Sequence, residues 1–179
     1  MRIISGILKG RKLRSPWWQG LRPTSDRLRE TLFNVLGDSV LDATVLDAYA
    51  GTGALGIEAI SRGARRVVFI ECDERAAVLI VDNLKKCEQN TNYQVVCEFL
   101  PSALDRDDLP KNFDLILLDP PYDEPEIGGI LSSVGFHLSL SGMLVLERSR
   151  HSKELLVSTL KHVRRVVSGG SSLDFYCRP

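Results

Sequence analysis

From residue 45 onward short apolar runs alternate with helix-length amphipathic segments, and this alternation limits the possible folds more than any other feature of the chain. Val45-Leu46 reads as a strand, 54–62 as a helix stopped by Gly63, 67–70 as a second strand and 74–87 as a second helix. Two further strands follow at 95–100 and 113–118, then a helix at 126–134 and a fifth strand at 143–147. The C-terminal stretch, 163–168, Gly169-Gly170 and 173–177, reads as two strands around a tight turn. Strands joined by helical crossovers form a mostly parallel sheet covered on both faces, to which the terminal hairpin adds an antiparallel strand. The pattern predicts one doubly wound α/β domain with its ligands at the carboxyl ends of the strands. Upstream, Thr24-Ser25-Asp26 offers capping side chains for an amphipathic helix over about 25–36, which Gly37 ends.

The first strand runs into Leu46-Asp47-Ala48-Tyr49-Ala50-Gly51-Thr52-Gly53-Ala54-Leu55-Gly56, and Glu71 follows the second strand. Three glycines there permit a sharp turn and a close approach of backbone to ligand, and an acidic group at the second strand end can accept both hydroxyl protons of a ribose. These residues fit a dinucleotide or any other adenosine-containing cofactor. Asp47 favours the second. A carboxylate beside the glycine loop is poorly placed against a pyrophosphate, but it suits S-adenosylmethionine, which carries an ammonium and a sulfonium and no phosphate. The third strand leads to Ser102-Ala103, and by position this loop should lie along the adenine, with Ser102 at its edge.

The fourth strand ends in Asp119-Pro120-Pro121-Tyr122. Two prolines after a buried strand remove two backbone donors and stiffen the turn, so the Asp119 carboxylate and Pro120 carbonyl become fixed acceptors. Such a pair suits methyl transfer to the amine of a nucleic-acid base, whose lone pair is delocalised into the ring. Acceptors aimed at its two N–H bonds favour a nitrogen able to attack and stabilise the charge that develops on it. Tyr122 offers a face on which an extruded base can stack. This chemistry calls for neither a metal nor a covalent nucleophile. A dinucleotide-dependent enzyme and a non-catalytic RNA-binding module are the competing classes.

A formal net charge of zero conceals an asymmetry. Residues 1–30 hold eight basic side chains against Asp26 and Glu30, a local net of +6 that leaves −6 on the rest. With Trp17, Trp18 and several glycines, residues 1–23 read as a basic hairpin or arm, and 24–179 as one catalytic domain. The arm could contact phosphates and splayed bases. Cys72, Cys87, Cys97 and Cys177 show no metal-ligand spacing and read as reduced, mostly buried thiols. The start of the chain lacks the apolar block of a secretory signal, and no stretch has membrane-spanning length, so a cytoplasmic protein with no membrane partner is expected.

Several segments together resemble the bacterial RsmD family of amino-methyltransferases: residues 1–6, 8–13, Arg22-Pro23-Thr24-Ser25-Asp26-Arg27-Leu28-Arg29-Glu30, 46–64, Asp119-Pro120-Pro121-Tyr122 and the terminal hairpin. The resemblance spans nearly the whole chain. It implies a Rossmann-like class I S-adenosylmethionine methyltransferase fold, with a seven-stranded sheet. The implied reaction is transfer to N2 of a guanine in small-subunit (16S) ribosomal RNA, on assembled 30S particles; a monomer is expected. Adenine N6 and cytosine N4, including in DNA, remain alternatives, because Asp-Pro-Pro-Tyr turns also serve such enzymes. Residue by residue, the likeness assigns Asp47, Ala48, Tyr49, Gly51, Thr52, Gly53, Glu71, Cys72, Ser102, Ala103 and Asp119 to the cofactor. It assigns Asp119, Pro120, Pro121 and Tyr122 to the base and places Arg22, Thr24 and Arg27 near the mouth of the site, with Arg2, Lys9, Arg11, Lys12 and Arg14 of the basic arm as the further RNA-binding candidates. The chain departs from the family pattern at Ser102, where an acidic residue is expected.

Overall fold

The computed structural model describes residues 1–18, 24–89 and 92–179. Helix α1 (Asp26–Leu36) is capped by the Ser25 hydroxyl, which accepts from the Leu28 N–H, and ends at Gly37. There follow β1 (Thr44–Ala48), α2 (Ala54–Ser61), β2 (Arg66–Ile70), α3 (Glu74–Lys86), β3 (Tyr93–Val96), β4 (Phe113–Leu118), α4 (Ile127–Gly135), β5 (Leu138–Ser149), β6 (Lys161–Ser168) and β7 (Ser171–Cys177). All seven strands join one sheet in the order β3-β2-β1-β4-β5-β7-β6. The first five pair in parallel, and β7 runs antiparallel to both β5 and β6. This is the doubly wound sheet predicted from the alternation, in the Rossmann-like form that the family resemblance implied.

Because β1 and β4 are central and covered on both faces, every residue of their pairing is hydrophobic except Asp47. Val45, Leu115, Leu117 and Val145 face one apolar layer with α1 and α2. Leu46, Ile116, Leu118 and Leu144 face another with Ile130, Leu131 and Val134 of α4.

Two strand boundaries differ from the sequence reading by four residues or more. Strand β3 stops at Val96 rather than 100, because its partner β2 ends at Ile70 and the last rung is the Glu71 N–H to the Val96 carbonyl, 3.1 Å. Strand β5 starts at Leu138, not 143. Leu138 pairs with Phe113 and Met143 with Leu115, so residues 139–142 bulge out between them, and Ser139 donates to the Asp114 carboxylate at 3.2 Å.

The first 18 residues are docked on the body. Ile3, Leu8 and Leu13 are 1%, 5% and 5% exposed, and each contributes about 1.5–3 kcal/mol of apolar burial. The backbone folds back on itself, Ile3 N–H to the Arg11 carbonyl and Leu13 N–H to the Met1 carbonyl. It is also anchored to the helices. Ile4 and Ser5 donate to the buried Glu58 carboxylate at 2.8 and 3.0 Å, and Leu8 donates to the Ser61 hydroxyl at 2.9 Å. Asn83 of α3 accepts from the Arg14 N–H at 2.7 Å, and its amide donates to the Arg14 and Thr52 carbonyls.

Candidate active site

The carboxyl ends of four adjacent strands each present an acid: Glu71 after β2, Asp47 in β1, Asp119 after β4 and Glu147 in β5. Asp119 and Glu147 are neighbours because Leu118 pairs with Leu146 immediately before them. Above this edge lies a cavity of about 690 Å³, within the range of small-molecule and cofactor sites. One wall holds Tyr49, Gly51, Thr52, Glu71, Cys72 and the stretch from Glu98 to Leu100; the other holds Thr24, Asp119 through Tyr122, Glu124, Glu126 and Glu147.

The glycine loop is shaped by its own backbone. Gly51 and Gly53 take φ of +55° and +76°, which glycine adopts without a Cβ penalty, and Tyr49 sits at +60°. The Gly51 N–H donates to Glu71 Oε2 at 2.8 Å and the Asp73 N–H to Glu71 Oε1 at 2.9 Å, so this carboxylate braces the loop while still facing the cavity. Gly56 has a different task. Its N–H donates to Asp47 Oδ2 at 2.7 Å, and its missing Cβ makes room for Phe69. Across the mouth, the Tyr49 hydroxyl donates to Glu124 at 3.4 Å; burial and then this neighbouring charge push the phenol well above its usual range.

Asp47 lies beneath the loop, and its Oδ1 is buried with no hydrogen-bond partner among the described residues. Burial pushes its carboxyl well above the ordinary carboxylate range; the Gly56 N–H opposes this, while Asp119 and Glu71 add to it. The described lining of the cavity includes six carboxylates and no basic side chain. Such a wall fits a ligand with cationic groups and hydroxyls and repels a pyrophosphate.

The pKa of Asp47 is raised by folding, so the folded chain holds this proton more tightly than the unfolded one. Stability is therefore lost as pH rises from the ordinary carboxylate value through the raised one. Asp47→Asn keeps an oxygen for Gly56 and removes the charge. Thermal melts should show the variant gaining stability relative to wild type as pH increases from about 4 to neutrality, and calorimetry should show weaker binding of a cationic ligand. A pH slope unchanged by the substitution would refute this role.

On the opposite wall the Thr24 hydroxyl donates to Asp119 Oδ2. Tyr122 stands 44% exposed, with its hydroxyl 2.8 Å from that of Ser171.

The structure thus brings Tyr49, Gly51, Thr52, Glu71, Cys72, Asp119, Pro120, Pro121, Tyr122 and Thr24 onto one cavity. Ala48 and Gly53 lie behind it, in β1 and at the N-terminus of α2. Ser102 donates to the Phe99 carbonyl at 2.9 Å and Ala103 is buried, so the wall there is formed by Glu98, Phe99 and Leu100. Sequence reasoning passed over these three and Glu124, Glu126 and Glu147. The thiols need correction too: Cys72 and Cys97, on loops at the open sheet edge, are exposed, and only Cys87 is buried. Of the basic residues, Arg11 pairs with Glu88 at 3.1 Å, Arg14 with Asp82 at 2.8 Å and Arg2 with Asp26 at 3.6 Å. Lys9, Lys12 and Arg27 are exposed, and Arg22 lies outside the described residues.

The family model described as "Conserved hypothetical protein 95" matches residues 1–177. The chain belongs to the RsmD family. It is 42% identical over 125 residues to "Ribosomal RNA small subunit methyltransferase D" of Haemophilus influenzae, a match covering 68% of this chain and 64% of that protein. The chain thus spans less than two thirds of that relative's length. It is 36% identical to "Putative rRNA methyltransferase YlbH" of Bacillus subtilis over 84% of this chain and 83% of that one. Among solved structures, "Putative methyltransferase yhhF" from Escherichia coli superposes with a TM-score of 0.86 at 32% identity, covering 99% and 97% of the two chains. The fold shared with that structure therefore extends over nearly the whole of both chains.

Proposed function

We propose that this chain transfers a methyl group from S-adenosylmethionine to the exocyclic N2 amine of a guanine in small-subunit ribosomal RNA, acting on assembled 30S particles. The observation that supports this most is the sharing of one acidic cavity by the glycine loop with Glu71 and by the Asp119–Tyr122 turn. Relatives named as small-subunit and putative rRNA methyltransferases point the same way.

S-adenosylmethionine fits the wall, and when bound it supplies an electrophilic methyl group on a sulfonium. Glu71 would accept the ribose hydroxyls, Gly51 and Thr52 would line the methionine portion, and the buried Asp47 would hold the start of α2 beneath them through the Gly56 N–H. Cys72 and the stretch from Glu98 to Leu100 would flank the adenine. Toward the acceptor, Asp119 and the Pro120 carbonyl take the two N–H bonds of the amine and orient its lone pair. The Asp119 charge stabilises the positive nitrogen as it forms. Tyr122 stacks the extruded base. A carboxylate accepts from both N1–H and N2–H of guanine, whereas adenine offers only its amine on that edge.

The test is methylation of 30S particles from cells lacking this modification, followed by nucleoside mass analysis. N2-methylguanosine is expected. N6-methyladenosine or N4-methylcytidine would replace guanine as the target, and binding of NAD with no binding of S-adenosylmethionine would overturn the reading altogether.

The basic arm is proposed as the RNA contact, and the ion pairs of Arg11 and Arg14 make Lys9 and Lys12 its cleaner probes. Lys9→Glu with Lys12→Glu should weaken particle binding by roughly tenfold at moderate salt, flatten its salt dependence and leave cofactor affinity unchanged. Equal loss of both affinities would point to damage to the fold instead.

A further inference from the structure

We propose that Ser171, in the C-terminal hairpin, is a positioning residue for methyl transfer that fixes the Tyr122 ring through a hydrogen-bond chain ending on the buried Glu147 carboxylate. The proposal rests on Tyr122 being the face against which the target base stacks.

Three separate elements converge here. Tyr122 belongs to the loop after β4, Glu147 to the end of β5, and Ser171 opens β7 directly after the Gly169-Gly170 turn. The Ser171 hydroxyl donates to Glu147 Oε1 at 2.9 Å and lies 2.8 Å from the Tyr122 hydroxyl. A serine has one proton to give. Since Ser171 gives it to Glu147, it accepts from Tyr122, and the chain runs from phenol to serine to carboxylate. The Tyr122 hydroxyl is itself 3.5 Å from the same Glu147 oxygen.

The two ends of this chain differ in exposure. Ser171 is 4% exposed and Glu147 6%, so they form a fixed base; Tyr122 is 44% exposed, with its ring standing in the cavity. Without an anchor, such a ring on a loop turns about two side-chain bonds. Held at its hydroxyl, it presents one face beside Asp119, the residue next to Glu147 across the strand register. Serine is the smallest side chain that can accept and donate at once in so buried a place. Catalysis depends on holding the acceptor in line with the donor, and a base stacked on a ring that wanders is misaligned. In this way the hairpin, otherwise only the closing edge of the sheet, contributes to the acceptor side of the site.

The experiment measures single-turnover methylation of unmodified 30S particles by the full chain carrying Ser171→Ala, Tyr122→Phe or both. Each single variant should slow methyl transfer roughly tenfold, and the double variant should be no slower than the slower single one, because both changes break the same chain. S-adenosylmethionine affinity should change by less than about twofold. A Ser171→Ala protein at the wild-type rate would overturn the proposal. So would losses that multiply in the double variant, the mark of a Ser171 effect that bypasses Tyr122. If Ser171→Ala does not fold, Tyr122→Phe breaks the chain from its exposed end, and a wild-type rate for that variant overturns the proposal equally. Wild-type protein that methylates no RNA would instead remove the reading of function on which the proposal stands.

Discussion

Asp119→Ala is expected to slow methyl transfer by at least about 10²-fold, roughly 3 kcal/mol of transition-state stabilisation, with the fold retained. In the proposed chemistry the carboxylate is one of the two acceptors offered to the amine and the only one with a full charge. Its removal takes away both the orientation of the nitrogen and the stabilisation of the cation formed there. Stability should not suffer, because Asp119 is also one of the charges holding the Asp47 carboxyl well above its ordinary range. Relieving that repulsion lets Asp47 ionise at lower pH. The hydroxyl of Thr24 does lose its acceptor, at a half-buried site where water can replace it. Asp119→Asn keeps an acceptor oxygen and loses the charge, so its rate should fall between wild type and alanine. Single-turnover kinetics, calorimetry with S-adenosylmethionine and thermal melts separate these effects. An alanine variant within about threefold of wild type would contradict the proposed chemistry.

Gly56→Ala should have the largest effect on stability of any single-methyl change in the loop region, about 3 kcal/mol, seen as a fall in Tm of roughly 6–12 °C. A Cβ there would lie 2.2 Å from Phe69 Cε1, 2.7 Å from Cζ and 2.9 Å from a Val67 methyl. Phe69 is in the core, between α2 and the sheet, and has nowhere to turn. Helix α2 would have to lift from β2, and doing so would pull the Gly56 N–H from the buried Asp47 carboxylate. Gly128→Ala makes the control. An added Cβ at Gly128 meets nothing within 4 Å, so the change should be neutral or stabilise α4 by about 0.5–1 kcal/mol. Equal melting temperatures for Gly56→Ala and wild type would show that the helix yields more readily than this packing implies.

What could be seen in the sequence follows from which interactions are local. The strand–helix alternation reflects burial on two sheet faces, and the glycine loop and the Asp119–Tyr122 turn each lie within a few consecutive residues. Those features were legible. Glu147 was not, because its place beside Asp119 depends on the register of β5 on β4. Ser171 is further removed, since it reaches Glu147 diagonally across the antiparallel pairing of Ser149 with Ser171. Ser139-Leu140-Ser141-Gly142 has the composition of a turn and becomes a bulge within β5 only because Phe113 and Leu138 pair before it. Beyond β3, the apolar Phe99-Leu100 looked like more strand. There β2 had run out of residues to pair, and the chain turned to form the cavity wall instead.

Asn83 carries a consequence for how the molecule can be cut. One buried amide group spans the arm and the glycine loop, accepting from Arg14 and donating to the carbonyl of Thr52. The sulfur of Met1 also lies 3.8 Å from the Thr52 hydroxyl. The N-terminal segment and the glycine loop are therefore braced against each other as parts of one frame. A chain trimmed of its first fourteen residues loses a brace as well as five basic side chains, and its glycine loop no longer has the same support.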